Sequence, residues 1–508
     1  MKIAIGYPPL ESEKGIPLLG QNRQFQWAKT PWRAYPVVPA YGATLLKNAG
    51  YEVVWLDGIS EEKTYRQWEE ELWQEKPDIL MMETKTPVVK KHWRIINKLK
   101  TQNSKLKTIL VGDHVTALPE ESFQNSRVDY ILTGGDYDFL LLNLVNHLIK
   151  RECLEPGIWY RQSSKLKAQN ANLHLKTQNF SSLNTGDFKL NHDLNSLPMI
   201  DRKLTRWELY AEKNSNYSRT PGTYTMFGRD CWWGKCAFCS WTTLYPGCSF
   251  RAMSPKRALD EIGYVIEKFG VREIMDDSGT FPVGEWLREF CEGMIKRGYN
   301  QKIKLDCNMR FNAGLSQKDY DLMGKAGFRF LLYGLESASQ KTLDRINKNL
   351  KVGQIGETAK MAKKAGLWVH ATAMVGYPWE SKQDAQNTLN MTKDFFKRGL
   401  IDSLQATIVI PYPGTPLFRE CQENNWLKTF DWDRYDMKEP VMKTEMADKE
   451  IMEMVRGIYS AFWSPEFVIK RLKEGLTNGE KFKYYAFMAL KFASRKLDFR
   501  AQNKWGTG

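Results

Sequence analysis

No apolar stretch among these 508 residues approaches the roughly 18–20 residues that a membrane span requires. The opening residues, Met1-Lys2-Ile3-Ala4-Ile5-Gly6-Tyr7, show neither the apolar core nor the cleavage site of a secretory signal. They read as a strand, and a cytoplasmic protein is expected. Eight cysteines over this length are too few for a disulfide framework, which excludes the small secreted scaffolds. Acidic residues are also in deficit, 59 Asp/Glu against 74 Lys/Arg, for a formal charge of +15. That excess suits an anionic partner: nucleic acid, acidic lipid headgroups, or phosphorylated substrates and cofactors. A lysine-rich solvated surface would give the same number. What is present, 42% hydrophobic and 26% charged residues, is a globular composition. The length implies two or three domains.

Residues 1–150 alternate short apolar strands with amphipathic helical stretches. Strands are expected at Lys2–Tyr7, Glu52–Leu56, Asp78–Glu83, Thr108–Val111 and Tyr130–Thr133, with helices between them. This alternation predicts a doubly wound parallel sheet covered on both faces. Ligands of such sheets bind beyond the strands' carboxyl ends, where Thr84-Lys85-Thr86, Gly112-Asp113-His114-Val115-Thr116 and Gly134-Gly135-Asp136 fall. Residues 151–215 read as a linker or surface hairpin, richest in Ser, Asn, Gln and Lys over 163–195. From 216 to 430 a second alternation predicts six strand–helix units: Tyr224–Phe227, Glu273–Met275, Lys302–Cys307, Phe328–Tyr333, Trp368–Val375 and Ser403–Val409. This implies a partial (β/α)6 barrel with its chemistry at the carboxyl ends of the strands. Residues 431–508 read as a helical, basic C-terminal region. Its last part, 464–508, carries ten Lys/Arg against four Asp/Glu, and Phe482, Tyr484, Tyr485, Phe487, Met488, Leu490 and Phe492 make it aromatic. That composition suits either an interfacial helix on an anionic membrane or a lid packed on its own protein.

Half of the cysteines fall between Cys231 and Cys248. The first barrel strand leads into Cys231-Trp232-Trp233-Gly234-Lys235-Cys236-Ala237-Phe238-Cys239, which puts three thiols on one short loop. Three thiolates can hold three irons of a cubane cluster and leave the fourth iron for a chelating substrate or cofactor. A zinc site completed by Cys248 uses the same residues.

The chain here resembles the radical S-adenosylmethionine (radical SAM) enzymes. The usual spacing of that family is Cys-x3-Cys-x-(aromatic)-Cys; this chain has one extra residue in the first gap, with Phe238 at the aromatic position. Ile274-Met275-Asp276-Asp277-Ser278 resembles the acidic end of the second barrel strand, which in the family lies near the SAM amino group. Leu332-Tyr333-Gly334-Leu335-Glu336-Ser337 resembles the fourth-strand segment near the ribose. Val375-Gly376-Tyr377-Pro378-Trp379-Glu380 resembles the Gly-x-Pro turn that backs the adenosine. Pro411-Tyr412-Pro413-Gly414-Thr415-Pro416-Leu417 resembles the closing turn after the sixth strand. The resemblance covers roughly 217–430. It implies a [4Fe-4S] cluster on Cys231, Cys236 and Cys239, and SAM held by Phe238, Asp277, Ser278, Glu336, Ser337, Gly376 and Pro378. The implied reaction is reductive cleavage of SAM to a 5′-deoxyadenosyl radical that abstracts hydrogen from an unactivated carbon.

The domain ahead of the barrel is similar to the Rossmann-like cobalamin-binding domain of one large radical SAM class. The resemblance implies cobalamin on Thr84, Gly112, His114, Thr116, Gly134 and Gly135. The Asp-x-His-x-x-Gly motif that supplies an axial histidine in other cobalamin proteins is absent, so base-off cobalamin without a histidine ligand is expected. His114 then shapes the pocket or is structural. Methyl transfer, as in the class B methyltransferases, and carbon–carbon bond formation, as in the ring-forming cyclases, both follow from the resemblance. The substrate is expected to be a small molecule or lipid, hydrophobic in view of the aromatic, basic C-terminal segment. The same segment suggests peripheral membrane association. Flavodoxin or ferredoxin is expected as reductant. RNA modification and a zinc-stabilised nucleic-acid binder are the competing readings. Nucleic acid is not the expected partner, because only Cys153 precedes the barrel and a second N-terminal cluster is therefore missing.

Overall fold

The computed structural model describes residues 1–19, 25–28, 32–161, 182–214 and 216–460. The aromatic basic segment 464–508 and residues 163–181 lie outside the described residues.

Five parallel strands form the first sheet: Lys2–Tyr7, Glu52–Asp57, Ile79–Glu83, Lys107–Val111 and Tyr130–Leu132. In space the second strand flanks the first on one side, and the third, fourth and fifth follow on the other. Strand order therefore reverses beside Lys2–Tyr7, and at such reversals the carboxyl-end loops part to leave a crevice. Every residue of Ile79–Glu83 is buried. Its apolar Ile-Leu-Met-Met run, without alternation, is what a strand covered on both faces demands. Two antiparallel strands, Ile158–Arg161 and Ser182–Asn184, extend this sheet past residue 150, so part of the 151–215 segment belongs to it.

The second sheet has six parallel strands, Gly222–Thr225, Glu273–Asp276, Lys304–Met309, Phe328–Glu336, Trp368–Val375 and Ser403–Ile408, lying side by side in chain order. Helices connect them, and their limits are written in the sequence. Pro255–Phe269 starts where the Ser254 hydroxyl accepts the Arg257 N–H, has proline in its first position, and stops at Gly270 with φ 62°. Lys382–Arg398 starts on a reciprocal Ser381/Asp384 cap and ends at Gly399. The third and fourth strands run past the expected ends, to Met309 and Glu336. Their last inward positions, Asn308 and Glu336, are polar because they line a cavity, and polarity hid the strand pattern.

One apolar cluster runs through both halves, from Ile3 and Val38 of the first to Ile262 and Ile274 of the second. Polar contacts cross the same boundary. The Tyr41 hydroxyl donates to Glu261 at 3.0 Å. Arg229, buried in the barrel half, donates to Asp136 at 2.9 Å and to both oxygens of Asp138, in the loop and helix that follow the fifth strand of the first sheet. The helix Asp448–Ser460, at the start of the basic C-terminal region, packs on the sixth barrel strand. There Tyr459 donates to the Ala406 carbonyl at 2.8 Å. Among the described residues no helix is long and apolar enough to cross a membrane.

Candidate functional site

The cysteine loop leaves the barrel through Gly228–Arg229, which pairs antiparallel with Arg251–Ala252. This two-residue ribbon pinches the base of the loop, and backbone hydrogen bonds hold its middle: Ala237 N–H to Ile346 O and Leu417 N–H to Ala237 O, each 2.9 Å. The loop lies close over the end of the second strand. A side chain at Gly279 would put its Cβ 2.4 Å from the Asp230 carbonyl oxygen and 2.7 Å from the Cys231 nitrogen. Only glycine lets the two backbones come this near.

Cys231, Cys236 and Cys239 line a single cavity of about 240 Å3 with Phe238, Asp277 and Glu336. The structure thus brings six of the expected barrel residues together. Four others lie off its wall. Ser278 is buried behind the second strand, accepting the Gly228 N–H at 2.8 Å. Ser337 accepts the Ser339 N–H at 3.1 Å in the turn before the next helix. Gly376 donates to the Glu380 carboxylate at 2.7 Å, and with Pro378 it forms a buried turn whose Gly376 face meets Ile451. Cys248 also points elsewhere, its thiol donating to the Trp233 carbonyl at 3.2 Å. Among the described residues no three His, Cys, Asp or Glu side chains converge as one metal ion would need.

Three residues that the sequence reading passed over complete the wall. Thr280 donates to Cys231 Sγ at 3.5 Å. Arg310 Nη1 lies 3.6 Å from Cys236 Sγ. Lys348 pairs with Glu336 at 2.7 Å, both side chains buried, and its ammonium stands 5.9 Å from the Phe238 ring centre. Thr280 and Arg310 follow the ends of the second and third strands, so the rule that barrel chemistry gathers at strand ends could have found them. Lys348, in a loop after the fourth strand, carries no such signal. Burial pushes the Cys236 thiol up from its ordinary value, while Lys348 and Arg310 pull it back toward the thiolate. Burial likewise raises Asp276 to about 6, opposed by hydrogen bonds from Ser278, Phe227 and Thr225. Asp276 braces the loop base, and the cavity-facing acid is its neighbour Asp277.

The carboxyl ends of the first sheet look across at the helix Trp241–Leu244 that follows Cys239. Gly112 has φ 124° and lies so close to the third strand that a Cβ would stand 2.2 Å from the Thr84 carbonyl oxygen. The Thr84 hydroxyl is hydrogen-bonded with His92 at 2.8 Å. Thr116 accepts the Gly134 N–H, and the Phe188 and Tyr245 rings pack on Gly134 and Gly135. His114 is wholly buried, 3.2 Å from the Thr86 hydroxyl and 3.3 Å from Glu121, with Trp93 and Trp432 edge-on to its ring. Between the two halves, Glu83, Lys85, Gly112, Asp113 and Tyr137 face Ser240, Trp241, Leu244 and Tyr245 across a gap of about 10 Å3. Burial raises Glu83 in this gap to about 7, countered by Lys85 and by the Tyr7 hydroxyl.

Comparison with known proteins follows this geometry. Residues 225–392 match the radical SAM superfamily. An uncharacterised methyltransferase of Pyrococcus horikoshii is 26% identical over 449 residues, 86% of this chain and 90% of its own. The anaerobic magnesium-protoporphyrin IX monomethyl ester cyclase of Rubrivivax gelatinosus is 25% identical over 441 residues, 84% of this chain and 73% of its own. In fold, the chain is similar to the cobalamin-dependent S-adenosylmethionine radical enzyme OxsB, solved with aqua-cobalamin and S-adenosylmethionine bound. The TM-score is 0.68 at 15% identity, over 97% of this chain and 71% of that one. With its cysteine loop opening on the mouth of a six-stranded parallel barrel, this chain carries a radical SAM domain over residues 225–392.

Proposed function

We propose that this protein is a cobalamin-dependent radical SAM enzyme that methylates or cyclises an unactivated carbon of a hydrophobic small molecule or lipid. One observation carries the reading: three thiols open onto one cavity that also reaches Asp277 and Glu336, while Cys248 is turned to a carbonyl. Soft thiolates at the mouth of a barrel suit iron, and the donor set fits a cluster with one iron left to a non-protein ligand. When bound, the cluster and S-adenosylmethionine supply a carbon radical able to take hydrogen from an unreactive position. The chain's own part is orientation and dryness. Phe238, Asp277 and Glu336 are placed to contact the cofactor, and Lys348 fixes Glu336. Leu332, Met374, Ile408 and Ile410 give the cavity an apolar wall that keeps water from a reactive intermediate.

Cobalamin is proposed to lie against Thr84, Gly112, Thr116, Gly134 and Gly135, at the carboxyl ends of the first sheet. The likeness to a cobalamin-dependent enzyme of similar fold and the strand-order reversal beside Lys2–Tyr7 support this. The narrow gap sets a condition: Trp241 and Tyr245 must withdraw to admit a macrocycle. His114 is committed to Thr86, Glu121 and two tryptophans, which supports a cobalt without a histidine ligand. A tetrapyrrole-type or other large apolar substrate is in keeping with the magnesium-protoporphyrin IX monomethyl ester cyclase relative. A flavodoxin or ferredoxin would supply the electron.

Anaerobic purification tests the first half. A brown protein with iron and sulfide supports the reading, whereas stoichiometric zinc in a colourless protein sinks it. Incubation with methyl-labelled S-adenosylmethionine, reductant and cobalamin tests the second: label in a product other than methionine indicates methylation, and a new ring without label indicates cyclisation. His114→Ala should leave the absorption spectrum of bound cobalamin unchanged; a shift would make this histidine an axial ligand.

A further inference from the structure

We infer that Arg310 is a positioning residue that raises the reduction potential of the cluster held by Cys231, Cys236 and Cys239, through an N–H···S hydrogen bond to Cys236. The inference rests on the cluster reading above and concerns how this chain tunes that group.

The other buried arginines face carboxylates, Arg229 meeting Asp136 and Asp138 and Arg202 lying 3.7 Å from Glu261, and the half-buried Arg329 meets Glu273 and Asp306. Arg310 is equally buried, 4% exposed, and among the described residues it has no carboxylate within ion-pair distance. The sulfur of Cys236 stands where that partner would be, 3.6 Å from Nη1. A buried cation without counter-charge costs several kcal/mol, so this placement makes sense only beside an anion. A cluster on three thiolates supplies one.

The rest of the guanidinium is fixed. Nη2 donates to the Lys348 carbonyl and Nε to Asn312 Oδ1 at 3.1 Å. Its carbon stands 5.4 Å from the ring centres of both Trp232 and Trp233. The planar fork is therefore held on three sides, and Nη1 is left to face the sulfur. The neighbouring Lys348 also favours the Cys236 thiolate, but through its charge alone, its ammonium being paired with Glu336, so only Arg310 adds a hydrogen bond to that sulfur among the described residues. Reduction adds one negative charge to a cluster, and hydrogen bonds and positive charge beside its sulfurs favour that state. Thr280 gives Cys231 a second, uncharged donor at 3.5 Å, from which a smaller effect of the same sign follows.

The experiment is an anaerobic redox titration of the reconstituted full chain, followed by electron paramagnetic resonance without substrate, after iron and sulfide have been counted. Arg310→Met should keep its iron and lower the reduced-to-oxidised ratio at a fixed poise about tenfold, equivalent to about 59 mV for one electron. Thr280→Val should lower it less. Arg310→Met with full iron and the wild-type midpoint overturns the inference. If Arg310→Met loses its iron, Arg310→Lys decides: it keeps the charge but not the planar fork, so its midpoint should fall below that of the wild type. A midpoint at or above wild type overturns the inference. A wild-type protein that takes up no cluster defeats the functional reading instead, and its colourless spectrum tells the two failures apart.

Discussion

The two sheets share one architecture, parallel strands wrapped in helices with their loops gathered at the carboxyl ends, yet those ends differ. In the barrel they surround a cavity of about 240 Å3, lined by polar groups of the last five strands and the loops that follow them. In the first sheet they are satisfied by one another, Thr84 with His92, His114 with Thr86 and Glu121, Thr116 with Gly134. The gap toward the barrel is only about 10 Å3, and the larger space, about 530 Å3 beside Thr116, Thr133 and Phe188, lies away from Trp241 and Tyr245. The barrel mouth is built open. Where the first sheet faces the barrel it is closed, and its self-satisfied loops set the free-energy cost of opening that side.

The sharpest way to separate the two is Cys236→Ala. Formation of 5′-deoxyadenosine should fall to background while cobalamin uptake by the first sheet persists; loss of both would mean that the sites are one. Next in size, Arg229→Met leaves the buried Asp138 without its counter-charge, while Asp136 keeps Arg251 and His192, and should cost about 3–5 kcal/mol in thermal or denaturant unfolding. Burial already pushes Asp138 up, whereas Arg229, His192 and Arg251 together outweigh burial and hold Asp136 well below the usual carboxylate range. Adding Asp138→Asn should recover part of the loss. Gly112→Ala reverses the pattern of Cys236→Ala: a Cβ at φ 124°, 2.2 Å from the Thr84 oxygen, should cost about 1–3 kcal/mol and weaken cobalamin binding, with cluster iron unchanged. The smallest effect belongs to His192, which bridges Asp136 and Glu155 at 2.9 Å each. Burial lowers its pKa, but the two carboxylates prevail and raise it. Its contribution is therefore complete below the unfolded value near 6.5 and lost as pH rises through the higher folded one. Because the ring is partly solvated, wild type and His192→Gln should differ by at most about 1 kcal/mol at pH 6 and converge by pH 9.

Much of this was legible in the sequence, since unalternating apolar strands and capped helices leave a local record. Ser254, Pro255 and Gly270 delimit a helix before any tertiary contact is known. The cysteine loop was legible because soft ligands at close spacing have few other uses. Direction was not legible from the motifs alone. Asp277 and Glu336 line the cavity, while Ser278 and Ser337, one position on, accept the Gly228 and Ser339 N–H groups instead. The irregular backbone at these strand ends, with Glu336 at φ 64°, leaves no pattern in the sequence that says which way each points. Nor was closeness: Arg310 and Cys236 lie far apart in the chain, and only the register of the barrel sets them 3.6 Å apart.

Arg229 also bears on how the protein could be divided. It sits two residues before Cys231, at the pinch of the cysteine loop, and its counter-charges belong to the other half of the chain. A barrel expressed without residues 1–150 would carry a naked guanidinium under its most sensitive loop. The boundary between the two sheets is therefore no place to cut. The two halves are neighbours by fold but a single unit by charge, and a fragment meant to isolate the radical chemistry has to bring Asp136 and Asp138 with it.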